Sequence, residues 1–404
     1  MKSLLLEKFW GIMLKGDYFV KSEIKIKGEQ RMIVMNIELD NFMSFDGFVM
    51  NLSYPKKIIN SGIENEFLDG FTNFRYKKVN ILMGANATGK TSFGKMLMTI
   101  FNFMDKKQYT KIADAISDKT KKAEFCIDFV TNIEFLYRVR TIITPPEYGE
   151  SITGKDIDVS VKFVKIKQKD SYEKCIERLE KTHYEKCDNY LEELEKVTGL
   201  SWTFAYPEDY NVGKIFHAPK DSHKFQKVLS YVLMALDPAI VSVDKLSEVD
   251  GAYAIRTKSK SAIIQDGQIP DIEWLSSGTK SGIAVAIMIA DILERRCDFF
   301  YCDEKFSYIH SDIEKAILSV MIELLGKDTQ LFFTTHNTDI LDMQLPKHSY
   351  TFMKKEIYDE NSKIECINAG EILKRSTDSL KSAVENDLFS TAPATELIYD
   401  ILDI

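Results

Sequence analysis

Residues 84–91 read GANATGKT, set between the apolar run VNILM and the stretch SFGKMLMTIFNFM. Glycines at both ends of the loop let the backbone curl so that successive N–H groups face one anion. A helix that starts at the loop would turn its positive end toward the same point. Lys90 adds a full charge for the outer phosphates of a nucleotide, and the Thr91 hydroxyl suits Mg²⁺. Gly84, Asn86, Ala87, Thr88, Gly89, Lys90, Thr91 and Ser92 are therefore the candidate binding residues for ATP, and Thr91 is a candidate metal ligand.

Three further stretches follow in a fixed order. LSSGTKSG at 275–282 is a serine- and glycine-rich helix start, with Ser276, Ser277 and Gly278 small enough to admit a phosphate closely. FFYCDE at 299–304 ends an apolar strand in two acids. Asp303 is placed to organise Mg²⁺, and Glu304, one residue on, to polarise an attacking water as general base. FFTTHNTDIL at 332–341 sets His336 just past another apolar strand, where it can sense a γ-phosphate. Taken singly, each has a plainer explanation: a capped helix start, an acid pair at a strand end, a structural histidine. The order of all four separates this chain from RecA-like and classical hexameric AAA+ engines, which lack the serine-rich stretch and the histidine.

The elements that must hold these residues are legible as patterns. VNILMG at 79–84 is a short buried strand, and Phe93, Met96, Leu97, Ile100 and Phe101 recur at helical spacing after the loop. MIVMNIELDNFMSF at 32–45 alternates as a strand. AEFCIDFV and IEFLYRVRTII, joined by a TN turn, form a hairpin, and DIDVSVKFVKIK is a further strand. From Ser171 to Val197 the texture becomes charge-rich helix. SGIAVAIMIADIL at 281–293 is apolar nearly all round, hence a buried helix. FFYCD and QLFFT have the continuous apolar character of strands in a parallel sheet. These patterns divide the chain into an N-terminal extension (1–31), an N-lobe carrying the phosphate loop (32–170), a helical insertion (171–213) and a C-lobe with the other three motifs (214–404).

Bulk properties narrow the function classes. The 404 residues are 45% apolar and 28% charged, enough for a full core in two or three lobes. A net charge of −8 gives no global field for nucleic acid, although KKQYTKIADAISDKTKK at 106–122 concentrates six lysines. The six cysteines form no C-x-x-C pair, so reduced thiols in a cytoplasmic setting are expected. No apolar run is long enough to span a bilayer, and the opening MKSLLLEKFWGIMLKG is broken by Glu7 and Lys8. The stretch after His336 is too short for an appended nuclease domain.

The combination GANATGKT, LSSGTKSG, YCDE and TTHNTD resembles the ABC-type ATPases of the AAA type-15 group. These are relatives of the OLD and AbiL abortive-infection proteins and, more distantly, of RecF, SMC and RecN. IELDNFMSF resembles their entry strand near the nucleotide base, and SYIHSD at 307–312 stands where they carry the equivalent of a D-loop. The 134–143 strand is followed by no glutamine that could serve as a Q-loop. The resemblance implies an α/β P-loop NTPase fold: a RecF/SMC-like ABC ATPase head with a β-rich N-lobe and a short helical insertion. It implies ATP hydrolysis with Mg²⁺ in a homodimer or larger oligomer whose heads sandwich the nucleotide. Its biological counterpart is the sensor ATPase of an anti-phage system that acts through a separate nuclease or toxin. Two other functions fit the same residues: a RecF-like repair ATPase that binds DNA directly, and an ATP-gated scaffold that sequesters a toxic partner without turnover.

Overall fold

The computed structural model describes residues 19–21, 32–58, 61–131, 134–147, 150–206, 223–249, 251–264, 275–358, 361–375, 377–391 and 396–403. The fold is mixed α/β. At its centre is a seven-stranded sheet in the spatial order Phe19–Lys21, Trp202–Ala205, Phe299–Asp303, Gln330–Thr334, Val79–Met83, Tyr350–Tyr358, Asn361–Asn368. The five inner strands run parallel, and the two outermost are antiparallel to their neighbours.

Both faces of the inner strands are covered, which is why their sequences are apolar without alternation. Phe299, Tyr301 and Phe332 point to one face, toward helix Lys90–Lys106. Phe300, Cys302, Leu331 and Phe333 point to the other, toward helix Ser277–Leu293. Thirteen residues of that second helix are buried, in keeping with its all-round apolar sequence. Gly94 in the first helix allows a close approach, because a side chain there would overlap the Tyr301 ring.

A second, antiparallel sheet has the order Phe48–Asn51, Met32–Asp40, Ala123–Thr131, Phe135–Ile143, Ile157–Lys165. It shares the core of helix Lys90–Lys106 on one face. On the other face Ile33, Met35, Val130 and Leu136 pack with Tyr172 and Cys175 of helix Tyr172–Lys181. In the lysine-rich stretch 106–122, Ile112 and Ile116 are buried, while Lys107 and Lys121 pair with Glu195 and Asp118 at the surface.

Two segments lie where sequence patterns did not place them. The 171–213 stretch, read as a helical insertion, holds helices Tyr172–Lys181 and Tyr190–Glu195 and then Trp202–Ala205, an inner strand of the main sheet. WTFA is four residues long, too short to show a period. Phe19–Lys21, inside the expected N-terminal extension, pairs with that strand at the sheet edge. The C-lobe start near Lys214 lies outside the described residues; the first described element after it is helix His223–Leu236, followed by a three-stranded antiparallel sheet over 240–264. All six cysteines are free thiols. No helix among the described residues is long and apolar enough to cross a membrane.

One buried amide joins the two sheets. Strand Phe48–Asn51 pairs with Met32–Asp40 only from Asn36 onward, which leaves the Val34 edge without a ladder partner there. Gln330, fully buried, takes its place: its Oε1 accepts from Val34 N at 3.0 Å, and its Nε2 donates to Val34 O and Lys77 O, both at 3.1 Å. Gln330→Leu should lower the unfolding free energy by about 3 kcal/mol, because it strips at least two buried backbone groups of their partner. Chemical denaturation measures this, and a loss under about 1 kcal/mol would mean the sheets are joined by apolar packing alone.

Candidate active site

The 84–91 loop begins where strand Val79–Met83 ends. Gly84 has φ 151°, and a Cβ there would overlap the Met353 carbonyl oxygen, so only glycine fits. Ala87 also adopts positive φ, at 62°. Thr88 Oγ1 donates to Ala85 O at 2.9 Å and closes the turn. Helix Lys90–Lys106 then starts from Gly89 with no side-chain cap and no acid in its first turn. Its first N–H groups are thus left for an external acceptor. Lys90 is buried, with Nζ donating to Gly84 O at 3.0 Å and Ala85 O at 3.1 Å. Burial pulls its pKa below the ordinary lysine value, against the attraction of Glu304 and Asp303.

The acid pair ends the neighbouring inner strand but one. Phe299–Asp303 and Gln330–Thr334 run parallel in a register that sets Asp303 beside Thr334. Thr334 Oγ1 donates to Asp303 Oδ1 at 2.6 Å and accepts from Glu304 N at 3.0 Å. Glu304 takes a left-handed backbone, φ 42°, which swings its side chain off the strand end. Its Oε1 lies 3.5 Å from Lys90 Nζ and 2.8 Å from His336 Nε2. Burial favours the neutral acid, but the His336 contact and the Lys90 charge override it and hold the Glu304 pKa below the usual carboxylate range. Asp303 goes the opposite way: burial dominates and raises it, with Thr334 and Thr91 opposing and the Glu304 charge adding.

Lys90, Thr91, Asp303, Glu304 and His336 thus gather at one end of three adjacent strands, although they are far apart in sequence. Ser276, Ser277 and Gly278 do not join them. Ser276 caps its own helix by accepting from Thr279 N at 3.1 Å, and Ser276 and Ser277 are exposed. The Cα side of Gly278 faces Tyr308 O and Ile309. Among the described residues, no hydrogen bond or ion pair joins 275–282 to 84–92. Asn86 and Ala87 are exposed on the loop, and Thr91 and Ser92 half-buried at the helix start.

Sequence reasoning passed over Thr334, whose hydroxyl organises both acids. The signal was present, since a threonine pair closing an otherwise apolar strand beside a candidate histidine is itself unusual. It also passed over Tyr301, which anchors the loop by donating to Lys90 O at 2.8 Å.

The site has features suited to Mg²⁺. Asp303 Oδ2 is buried and accepts no hydrogen bond, a costly arrangement that a cation would relieve. Among the described residues no group of three or more His, Cys, Asp or Glu could hold a metal unaided. That suits an ion bound by one or two protein oxygens together with phosphates.

No protein-family model and no curated protein matches the sequence. Among solved structures the chain is similar to the SMC head domain from Thermotoga maritima, at 12% identity over 82% of this chain and 97% of that one, with a TM-score of 0.39. It is similar to the Smc head domain with an extended coiled coil bound to the C-terminal domain of ScpA, derived from Pyrococcus furiosus. There the identity is 13% over 85% of this chain and 98% of that one, with a TM-score of 0.48. It is also similar to the recombination mediator RecF, at 11% identity over 83% and 99% of the two chains, with a TM-score of 0.41. Scores at this level assign no activity, and the chemistry of the site rests on its own geometry.

Asp303 carries a stability consequence. Its folded-state pKa lies above the ordinary 3.8, so the folded state holds its proton longer than the unfolded chain does. Stability is therefore lost as pH rises through the interval between those values and stays lost above it. Asp303→Asn should raise the thermal midpoint of the metal- and nucleotide-free protein at neutral pH by about 1–3 °C, with the gap closing below about pH 4. Thermal unfolding at the two pH values checks this; a variant less stable than the parent at pH 7 would contradict it.

Proposed function

We propose that this chain is an ATPase in which the 84–92 loop holds the triphosphate and Glu304 takes the proton from an attacking water. The observation that carries this is the convergence of Lys90 and His336 on the one Glu304 carboxylate, at 3.5 and 2.8 Å. Mg²⁺, held by Asp303 and Thr91, would supply charge to offset that of the phosphates. The residues of the chain account for the rest. Lys90 now donates to its own loop and faces Glu304, so a phosphate can draw it away from both. Glu304 then loses the Lys90 charge, one of the contacts that depress its pKa, and its basicity rises when the substrate is in place. His336 remains on the same carboxylate and is exposed enough to reach a γ-phosphate.

The exposed placement of Ser276 and Ser277, with Gly278 half-buried beside them, away from the loop supports a site completed by a facing copy, which requires a two-fold or larger closed assembly. Glu304→Gln should keep ATP affinity and lower turnover about 10²–10⁴-fold, whereas Lys90→Ala should lose binding while staying folded. Mixing Lys90→Ala with Ser277→Arg, a substitution that spares the cap at Ser276, should restore part of the lost hydrolysis. Steady-state hydrolysis and equilibrium nucleotide binding measure these effects. Absence of rescue in subunits shown to exchange would contradict the composite site.

For the biological output, the four-motif resemblance supports an abortive-infection ATPase that passes its state to a separate effector protein. The purified chain should then leave DNA and RNA intact with ATP and Mg²⁺. Robust cleavage that vanishes in Glu304→Gln would overturn this and place the effector activity in the chain itself.

A further inference from the structure

Glu314 lies in the first turn of helix Ser311–Leu324, which begins within SYIHSD, with His310 as its N-cap. It is 2% exposed, and both carboxylate oxygens are used. Oε1 accepts from Thr335 Oγ1 and Oε2 from Asn337 Nδ2, each at 2.7 Å. Thr335 and Asn337 are the residues on either side of His336. Asn337 N donates back to Thr335 Oγ1 at 2.9 Å, and Thr335 N donates to Leu82 O of the phosphate-loop strand at 3.2 Å. His336 is the one residue of the three whose side chain leaves this network, and it goes to Glu304.

The arrangement is expensive. Burial raises the Glu314 pKa; the Thr335 and Asn337 hydrogen bonds oppose that, and the Asp339 charge adds to it. A helix held by packing alone would place an apolar residue here at lower cost. What the carboxylate supplies is position: it ties the backbone on both sides of His336 to the helix whose N-terminus closes the 307–312 segment. That segment borders Gly278, through Tyr308 and Ile309, and is exposed at Ser307, Tyr308 and His310.

We propose that Glu314 is a positioning residue that makes the His336–Glu304 contact depend on the placement of the 307–312 segment. It thereby links the surface around the serine-rich stretch to the hydrolytic centre. This inference rests on the assignment of Glu304 and His336 to ATP hydrolysis.

The test is a double-mutant cycle in the full chain, read by steady-state hydrolysis and by equilibrium binding of a fluorescent ATP analogue. Glu314→Ala should lower kcat about 10–100-fold with less than about a threefold change in nucleotide affinity, and should have no further effect in a His336→Ala background. Glu314→Gln sets an amide against the Asn337 amide and should also lower kcat. Adding Asn337→Asp restores a donor–acceptor pair at the same place and should return most of the turnover. This pair of variants keeps the network filled should Glu314→Ala fail to fold. If Glu314→Ala or Glu314→Gln lowers kcat by the same factor with and without His336, or if Asn337→Asp gives no recovery, the positioning role is overturned while the site assignment stands. If His336→Ala hydrolyses ATP as the parent does, or the parent hydrolyses none, the site assignment falls and this inference with it.

Discussion

The hydroxyl of Thr334 is the contact on which the site depends. It joins the ends of two parallel strands, donating to the Asp303 carboxylate and accepting from the Glu304 backbone. This works only because the strands pair in a register that brings Asp303 level with Thr334. A parallel pair has no hairpin to set its register, so packing on both faces must do so. Phe299, Tyr301 and Phe332 lock one face against helix Lys90–Lys106, and Phe300, Cys302, Leu331 and Phe333 lock the other against helix Ser277–Leu293. A slip of one residue would exchange the two sets and separate the acids from the phosphate loop.

Several of the polar groups that enter this apolar frame are tied down by specific partners. Gln330, at the start of the same strand, spends its whole amide on bridging to the second sheet. Tyr301 stacks on Phe332 at 5.6 Å and still reaches Lys90 O with its hydroxyl. Glu314 is matched by two donors. Asp303 Oδ2 is buried without a hydrogen-bond partner, and burial raises the Asp303 pKa. Lys90, buried with a lowered pKa, is its positive counterpart. Under the proposed ATPase reading, both would gain from a charged ligand.

The helical and serine-rich parts of the chain divide the work differently. The 84–91 loop, Asp303, Glu304 and His336 meet within one copy. The stretch around Ser276–Gly278 lies against Tyr308 and Ile309 and faces outward. Glu314 is the physical path by which that outward surface can reach His336.

Local chemistry was readable in the chain before folding. Glycine at 84 and 89 with Lys90 and Thr91, the acids after FFYC and the histidine after FFTT are each defined by neighbours within a few residues, so types and spacing suffice to propose them. The strands carrying them were equally plain, because burial on both faces leaves a continuous apolar run. The sequence could not place WTFA in the main sheet or FVK at its edge, since runs of three or four residues carry no period. It could not distinguish Glu314 from a solvent-facing acid, or show that Gln330 bridges two sheets, because both depend on partners far along the chain. That the serine-rich stretch faces away from the 84–91 loop was implied by the family resemblance and not by the residues themselves. Residue type determined what chemistry each motif could perform. Strand order and register, decided by long-range packing, determined which motifs share a site.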